Sequence, residues 1–253
     1  GGLNPIFVTR AMATQEAKET AEGFLTSITM GAGQFCTKPG FLIVEGADEI
    51  NAQLATLVSA APGQKLLNSK IVELHDKSRD EISQVPGMKL VAQNSGEGDT
   101  HVSVYTISAR DFLKGGARAK REVFGPTAVV VNCGNSEELL DVAQSFSGTL
   151  ASGIHATEND PMEIIPLLSI LEKISGRIVW NQWPTGLAVT WAMHHGGPYP
   201  ASTNSLFTSV GAKALLRFRR PVTYQNFPQK YLDPVLRDDA PELKSARING
   251  DEI

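Results

Sequence analysis

The run Thr127-Ala128-Val129-Val130-Val131-Asn132-Cys133 does most to limit the fold. A continuous β-branched stretch fits a strand covered on both faces, which is the setting of a parallel sheet. Phe41–Val44, Leu150–His155 and Arg177–Trp180 read as strands of the same kind, with Lys89–Ala92 and Val102–Ile107 as further strands. Between them lie helical patterns. Ala17, Ala21, Phe24, Leu25 and Ile28 recur at helical spacing and predict a helix from Thr14 to about Met30. Asp48 is expected to cap a helix through about Ala60, and Leu66, Leu67, Ile71, Leu74 and Ile82 mark a longer one that Pro86-Gly87 stops. Ser136 is expected to cap a helix with Glu137 and Glu138 in its positive first turn. Asp160-Pro161 should open another, through Ile174, that Gly176 ends. The alternation predicts an α/β fold of three layers, a mainly parallel twisted sheet flanked by helices.

Two cysteines in 253 residues give no disulfide framework, so a free thiolate is permitted and the cytoplasm is the simplest compartment. The net charge of −4 is mild, and its basic residues are scattered apart from Arg217, Arg219 and Arg220, so nothing resembles a nucleic-acid footprint. The longest apolar stretches, such as Ile164–Leu171, fall short of the roughly 20 residues that cross a bilayer, so no membrane span is expected. The opening Gly1-Gly2-Leu3-Asn4-Pro5 has neither initiator Met nor signal pattern and leads at once into a strand, which suggests a chain cut inside a domain.

Cys133 ends a buried strand pattern and reads as core. Cys36 stands in Gly31-Ala32-Gly33-Gln34-Phe35-Cys36-Thr37-Lys38-Pro39-Gly40, a loop between a helix and a strand where a nucleophile can be displayed. Spacing alone leaves two readings, a reactive nucleophile or a loop thiol that happens to lie near glycines, and Lys38 is a candidate cation to favour the thiolate. Residues Asn181–Asn204, rich in Trp, Pro, Gly, Thr and His without a period, are too long for an ordinary connection and point to a functional or interfacial loop. His194-His195 invites a metal reading, but adjacent histidines rarely converge on one ion and no further ligand stands at suitable spacing, so no metal is expected. A helix from Val210 to about Arg217 follows, then Pro221–Pro228, which alternates like an exposed strand.

The Cys36 loop resembles the Gly-Gln-x-Cys active-site signature of the aldehyde dehydrogenase superfamily, here Gly33-Gln34-Phe35-Cys36. Glu122-Val123-Phe124-Gly125-Pro126 resembles the family's Glu-x-Phe-Gly-Pro cofactor motif, and Gly1-Gly2-Leu3-Asn4-Pro5 its Gly-Gly-x-x-Pro segment. Residues Gly33–Gly40, Trp180–Ser202 and Arg220–Pro228 are most similar to an NADP-dependent branch acting on α-ketoglutaric semialdehyde (2,5-dioxovalerate) or long-chain fatty aldehydes. The resemblance covers essentially the whole chain. It implies the C-terminal part of such an enzyme, with a catalytic domain over residues 1–220, an oligomerisation strand and tail over 221–253, and a nucleotide-binding domain preceding Gly1.

The resemblance further implies roles for single residues. Cys36 would attack the aldehyde to form a thiohemiacetal, hydride loss would give a thioester, and a carboxylate-activated water would release the acid. The Cys36 main-chain N–H would be one oxyanion donor. The second donor, an Asn, and the base, a Glu directly before the Gly-Gly, belong to the preceding part, so the chain alone is expected to be inactive. Glu122 would bind the nicotinamide ribose hydroxyls of NADP, with NAD as the alternative, in the whole enzyme, and Phe124 would pack beside the nicotinamide. Trp183, Trp191 and Met193 would line an aldehyde tunnel. Val222–Phe227 would cross to a partner subunit and extend its sheet, making a homo-oligomer. Two other readings stay open. A Cys-dependent hydrolase would need a histidine base, for which His75, His101, His155 and the His194 pair show no local signature; a non-catalytic binding or assembly module would leave Cys36 incidental.

Overall fold

The computed structural model describes residues 2–98, 100–160, 162, 164–240, 247–248 and 251–252. Seven strands form one sheet: β1 (Ile6–Val8), β2 (Phe41–Glu45), β3 (Lys89–Gln93), β4 (Ser103–Ser108), β5 (Thr127–Cys133), β6 (Thr149–His155) and β7 (Ser175–Trp180). Their spatial order is β3-β4-β5-β2-β1-β6-β7, and every neighbouring pair is parallel except β3 with β4. The three-layer α/β architecture expected from the alternating patterns is therefore present.

The strand pleat divides the core in two. Ile6, Val8, Leu42, Val44, Val104 and Val130 face α1 (Arg10–Gln15), α2 (Ala17–Thr29) and α3 (Asp48–Ser59), which contribute Met12, Phe24, Ile28, Ile50 and Leu54. Phe7, Phe41, Ile43, Ile107, Val129 and Val131 face the other way. That layer holds α4 (Ser69–Ser83), α5 (Ala109–Ala119), α6 (Ser136–Gln144) and α7 (Ile164–Ile174), which supply Ile82, Phe112, Leu139 and Leu171. Central strands covered on both faces explain why their sequences are apolar without alternation.

Several boundaries differ from the sequence expectations. Thr9 caps a separate α1 by accepting from the Met12 amide, so the first helical region is two helices broken at Glu16. Asp48 is the first helical residue; the cap position is Ala47, which makes no side-chain bond, and Asp48 acts instead by placing negative charge in the first turn. Leu66 and Leu67 precede α4, whose cap is Asn68 accepting from the Ile71 amide. Leu67 and Leu74 are exposed, so the amphipathic reading of that helix extended too far. Asn135, one residue before Ser136, caps α6 by accepting from the Glu138 amide. At α1, α4 and α6 a Thr or Asn side chain just outside the helix accepts from a free N–H of the first turn.

Helix α5 was not foreseen. Two glycines weaken its pattern and Gly116 leaves helical geometry, but Ser108 caps it through the Asp111 amide. Gly176 lies inside β7 rather than ending α7. Glycine is needed there because the backbone of Gly196 passes against it, and a Cβ at Gly176 would strike the Gly196 carbonyl. The expected Pro start of α7 at Pro161 and the first glycine of the opening motif, Gly1, lie outside the described residues.

Residues 1–214 and 215–253 form two compact units. A 3₁₀ helix, Ala212–Phe218, replaces the expected α-helix. Residues 221–228 are all exposed and form no strand, contrary to the sequence expectation. A strand requires a neighbour to take its backbone hydrogen bonds, and none is paired with this segment among the described residues.

Candidate active site

The sequence brings three loops to the amino-terminal ends of the parallel strands. Asn4 precedes β1, Cys36 precedes β2, and Glu122–Pro126 precede β5. Open α/β sheets more often place ligands at the carboxyl ends, so the location comes from these loops rather than from the fold class.

Helix α2 passes into a 3₁₀ turn, Met30–Gly33, in which Gly31, Ala32 and Gly33 have φ of 57°, 56° and 69°. The reversal turns the chain back toward the sheet and leaves Cys36 exposed at the loop's tip. Gly33 is required twice over, by its positive φ and by the Gly125 backbone, whose carbonyl a Cβ would strike. This contact joins the Gly-Gln-x-Cys loop to the Glu-x-Phe-Gly-Pro segment. Gly125 is tight in turn, since a Cβ there would lie 2.5 Å from His75 Cδ2.

Asn4, fully buried with φ of 44°, holds the loop from behind. Its Nδ2 donates to the Cys36 carbonyl at 3.0 Å and the Lys38 carbonyl at 2.9 Å. Its Oδ1 accepts from the Ala151 amide at 3.1 Å and the Thr149 hydroxyl at 3.2 Å. One amide side chain thus satisfies both of its ends and ties the Cys36 loop to β6. Sequence reading had treated Asn4 only as an unspecified position in the opening motif.

The structure also adds His195. Its Nε2 lies 3.3 Å from Cys36 Sγ. The imidazole is held by its backbone: the His195 amide donates to Thr208 Oγ1 at 2.9 Å, and its carbonyl accepts from the Ser209 amide at 2.9 Å. The close Gly176–Gly196 backbone contact sets the segment against the sheet. Burial, followed by the positive field of Arg177 and by His194, holds His195 below its ordinary 6.5. A neutral imidazole can accept the thiol proton. The sequence signal was the His194-His195-Gly196-Gly197 cluster, weighed for a metal and, among the other histidines, as a base without a local signature; its 159-residue separation from Cys36 left no local spacing to read. Among the described residues, no group of three or more His, Cys, Asp or Glu is arranged to hold a metal ion.

Arg177 donates from its two Nη atoms to the carbonyls of Gly186 and Pro184. Burial lowers its pKa, while the Cys36 sulfur acts in the opposite sense. Lys38 does not serve Cys36 directly. Its Nζ is buried and donates to the carbonyls of Val123 at 2.9 Å and Thr127 at 2.7 Å. Burial brings it down to about 8, against the raising effect of Glu122. Cys133 is fully buried, and burial pushes its thiol far up, in keeping with the core reading.

Glu122 is half-buried and Phe124 is exposed, immediately beside the Gly33–Gly125 contact. Trp183 packs with Phe24 and His155 at centroid distances of 5.7 and 4.5 Å, over the space left by Gly23. Trp191 is exposed, and Met193 is half-buried two residues before His195.

No protein-family model matches the chain. It is 34% identical over 245 residues to alpha-ketoglutaric semialdehyde dehydrogenase 2 of Azospirillum brasilense, covering 94% of this chain and 46% of that protein. It is 33% identical over 256 residues to the alpha-ketoglutaric semialdehyde dehydrogenase of Acinetobacter baylyi, covering 98% and 48%. The chain therefore spans about half the length of these curated relatives. Among solved structures, 1-pyrroline-5-carboxylate dehydrogenase from Thermus with bound NAD matches with a TM-score of 0.62 and 19% identity, over 78% of this chain and 39% of that one. A double mutant of betaine aldehyde dehydrogenase from Staphylococcus aureus in complex with NAD+ matches with a TM-score of 0.66 and 16% identity, over 86% and 44%. These two likenesses speak to the fold. The sequence similarity runs along nearly the whole of this chain and about half of each relative, so the chain is similar to one half of these semialdehyde dehydrogenases.

Proposed function

We propose that the enzyme containing this sequence oxidises an aldehyde to a carboxylic acid with NADP, using Cys36 as nucleophile. The observation that carries the proposal is the exposed Cys36 thiol, 3.3 Å from His195 Nε2, on a loop whose Gly33 rests against Gly125 of the cofactor-motif segment. His195 accepts the thiol proton, and Cys36 adds to the carbonyl carbon. The Cys36 main-chain N–H stabilises the resulting oxyanion. The arrangement around Glu122 and Phe124 suits a dinucleotide, with an accessible carboxylate to accept from ribose hydroxyls and an exposed ring to pack beside the nicotinamide. NADP, when bound, supplies the hydride acceptor that an aldehyde oxidation requires.

The names of the curated relatives favour α-ketoglutaric semialdehyde over a long-chain aldehyde. Trp183, Trp191 and Met193 are assigned to the aldehyde path, residues 1–220 to the catalytic domain, and 221–253 to an oligomerisation strand and tail. Val222–Phe227 joins a second subunit by edge pairing, which accounts for a segment that has no ladder among the described residues. Among the described residues, no helix is long and apolar enough to cross a membrane. With two free thiols, the cytoplasm is the proposed compartment.

The test measures reduced-nicotinamide formation from α-ketoglutaric semialdehyde and NADP by the enzyme at the relatives' full length, by its Cys36→Ser variant, and by the 253-residue chain. Turnover is expected only in the first. Full activity in Cys36→Ser would refute the assignment. The Cys36–His195 pair also supports a second reading, hydrolysis of activated esters through an acyl-cysteine. Cofactor-independent ester cleavage by the chain, lost in His195→Gln and unaccompanied by aldehyde oxidation at full length, would favour that reading.

A further inference from the structure

We propose that Lys38 is a positioning residue whose buried ammonium fixes the placement of the Glu122–Phe124 segment relative to Cys36. The functional meaning of this placement rests on the reading of Cys36 as nucleophile and Glu122–Phe124 as cofactor contacts. The geometry itself does not.

Lys38 lies two residues beyond the nucleophile and is only 3% exposed. Its Nζ bridges the carbonyls of Val123 and Thr127, which bracket the Phe124-Gly125-Pro126 turn. Its own carbonyl is held by Asn4 Nδ2, the same atom that donates to the Cys36 carbonyl. A single residue therefore receives the loop's anchor from Asn4, just before β1, and passes it to the segment entering β5. Thr37 on the same loop is as deeply buried, but among the described residues its side chain makes no hydrogen bond to that segment.

A full-length apolar side chain would fill this site without taking a charge out of water. What Lys38 adds is two directed, charge-assisted hydrogen bonds to main-chain carbonyls, which fix both distance and orientation. A cavity of about 10 Å³ beside it, lined in part by Gly2, Leu3 and Glu122, is large enough for about one water to meet the third N–H. Glu122 and His75 act on Lys38 electrostatically, and Arg121 lines the same small cavity. His75 bonds to Thr127 Oγ1 at 2.9 Å and to Thr100 Oγ1 at 2.9 Å, and burial holds it below 6.5, so its titration lies below that of Lys38.

Hydrogen–deuterium exchange of the 253-residue chain tests the proposal without depending on enzymatic activity. Lys38→Met should raise exchange of the described amides from Arg121 to Thr127 by at least about tenfold at pH 7, while α3 and β6 remain unchanged. Lys38→Arg keeps the charge and should restore much of the protection. In the wild type, protection of this segment, corrected for intrinsic rates, should weaken as pH rises through about 8, where the bonds lose their charge assistance. Lys38→Arg should show no such step. Unchanged exchange in Lys38→Met, or equal loosening of every segment, would overturn the positioning role. If Lys38→Met does not fold, the wild type against Lys38→Arg between pH 7 and 9.5 decides, and a flat wild-type profile refutes the proposal. Absence of aldehyde oxidation at full length would instead sink the functional reading and leave the exchange result standing.

Discussion

Cys36 Sγ and His195 Nε2 are 3.3 Å apart although 159 residues separate them in the chain. The Cys36 loop reaches this point through three successive left-handed residues after α2. His195 reaches it from the long irregular segment after β7, with its backbone tied to Thr208 and Ser209. Two segments without regular structure thus form the contact, and each is held by close backbone packing against the sheet's amino-terminal edge.

If His195 takes the Cys36 proton, His195→Gln should slow iodoacetamide alkylation of Cys36 at pH 7.5 by about tenfold or more. Peptide mapping by mass spectrometry gives the rate at each thiol, with fully buried Cys133 as the unreactive internal control. Equal Cys36 rates in the two proteins would contradict proton transfer to His195.

Asn4→Ala removes two donated and two accepted bonds at a fully buried site. The stranded partners should cost about 2–4 kcal/mol. Urea unfolding measures the loss, and a change below about 0.5 kcal/mol would show that water or a shifted loop replaces the amide.

Gly33 and Gly186 separate backbone strain from steric contact. Both have positive φ, 69° and 80°, but a Cβ at Gly186 meets nothing within 4 Å whereas one at Gly33 strikes Gly125. Gly186→Ala should cost about 1 kcal/mol from the left-handed backbone alone. Gly33→Ala should cost at least about 1 kcal/mol more, because neither backbone can yield easily. Similar thermal midpoints for the two variants would mean that the loop shifts freely.

Burial lowers His155 from 6.5 to about 4, with its bond to the Gln182 carbonyl opposing the shift. The unfolded chain therefore binds a proton below 6.5 that the folded chain refuses until about 4. The corresponding stability is fully present above 6.5 and is lost as pH falls through this window, by up to about 3 kcal/mol. The stability difference between wild type and His155→Gln, measured by urea unfolding from pH 7 to 4, should narrow or reverse toward acid. A difference constant with pH would remove His155 from the acid response.

The sequence by itself determined the layered α/β class, because strands such as Thr127–Cys133 must be apolar on both sides to lie within a covered parallel sheet. It also determined that Cys133 is core, and its ordered motifs gave the resemblance to aldehyde dehydrogenases and the loop that displays Cys36. Helix caps were misread by one residue at Asp48 and Ser136, since propensity does not say which of two adjacent residues stays outside the helix. Tertiary structure alone decided that Lys38 turns to Val123 and Thr127, that Asn4 holds the Cys36 carbonyl, and that His195 meets the sulfur. These relationships depend on distant segments brought together by sheet order and by glycine-to-backbone packing, and neither leaves a fixed spacing along the chain.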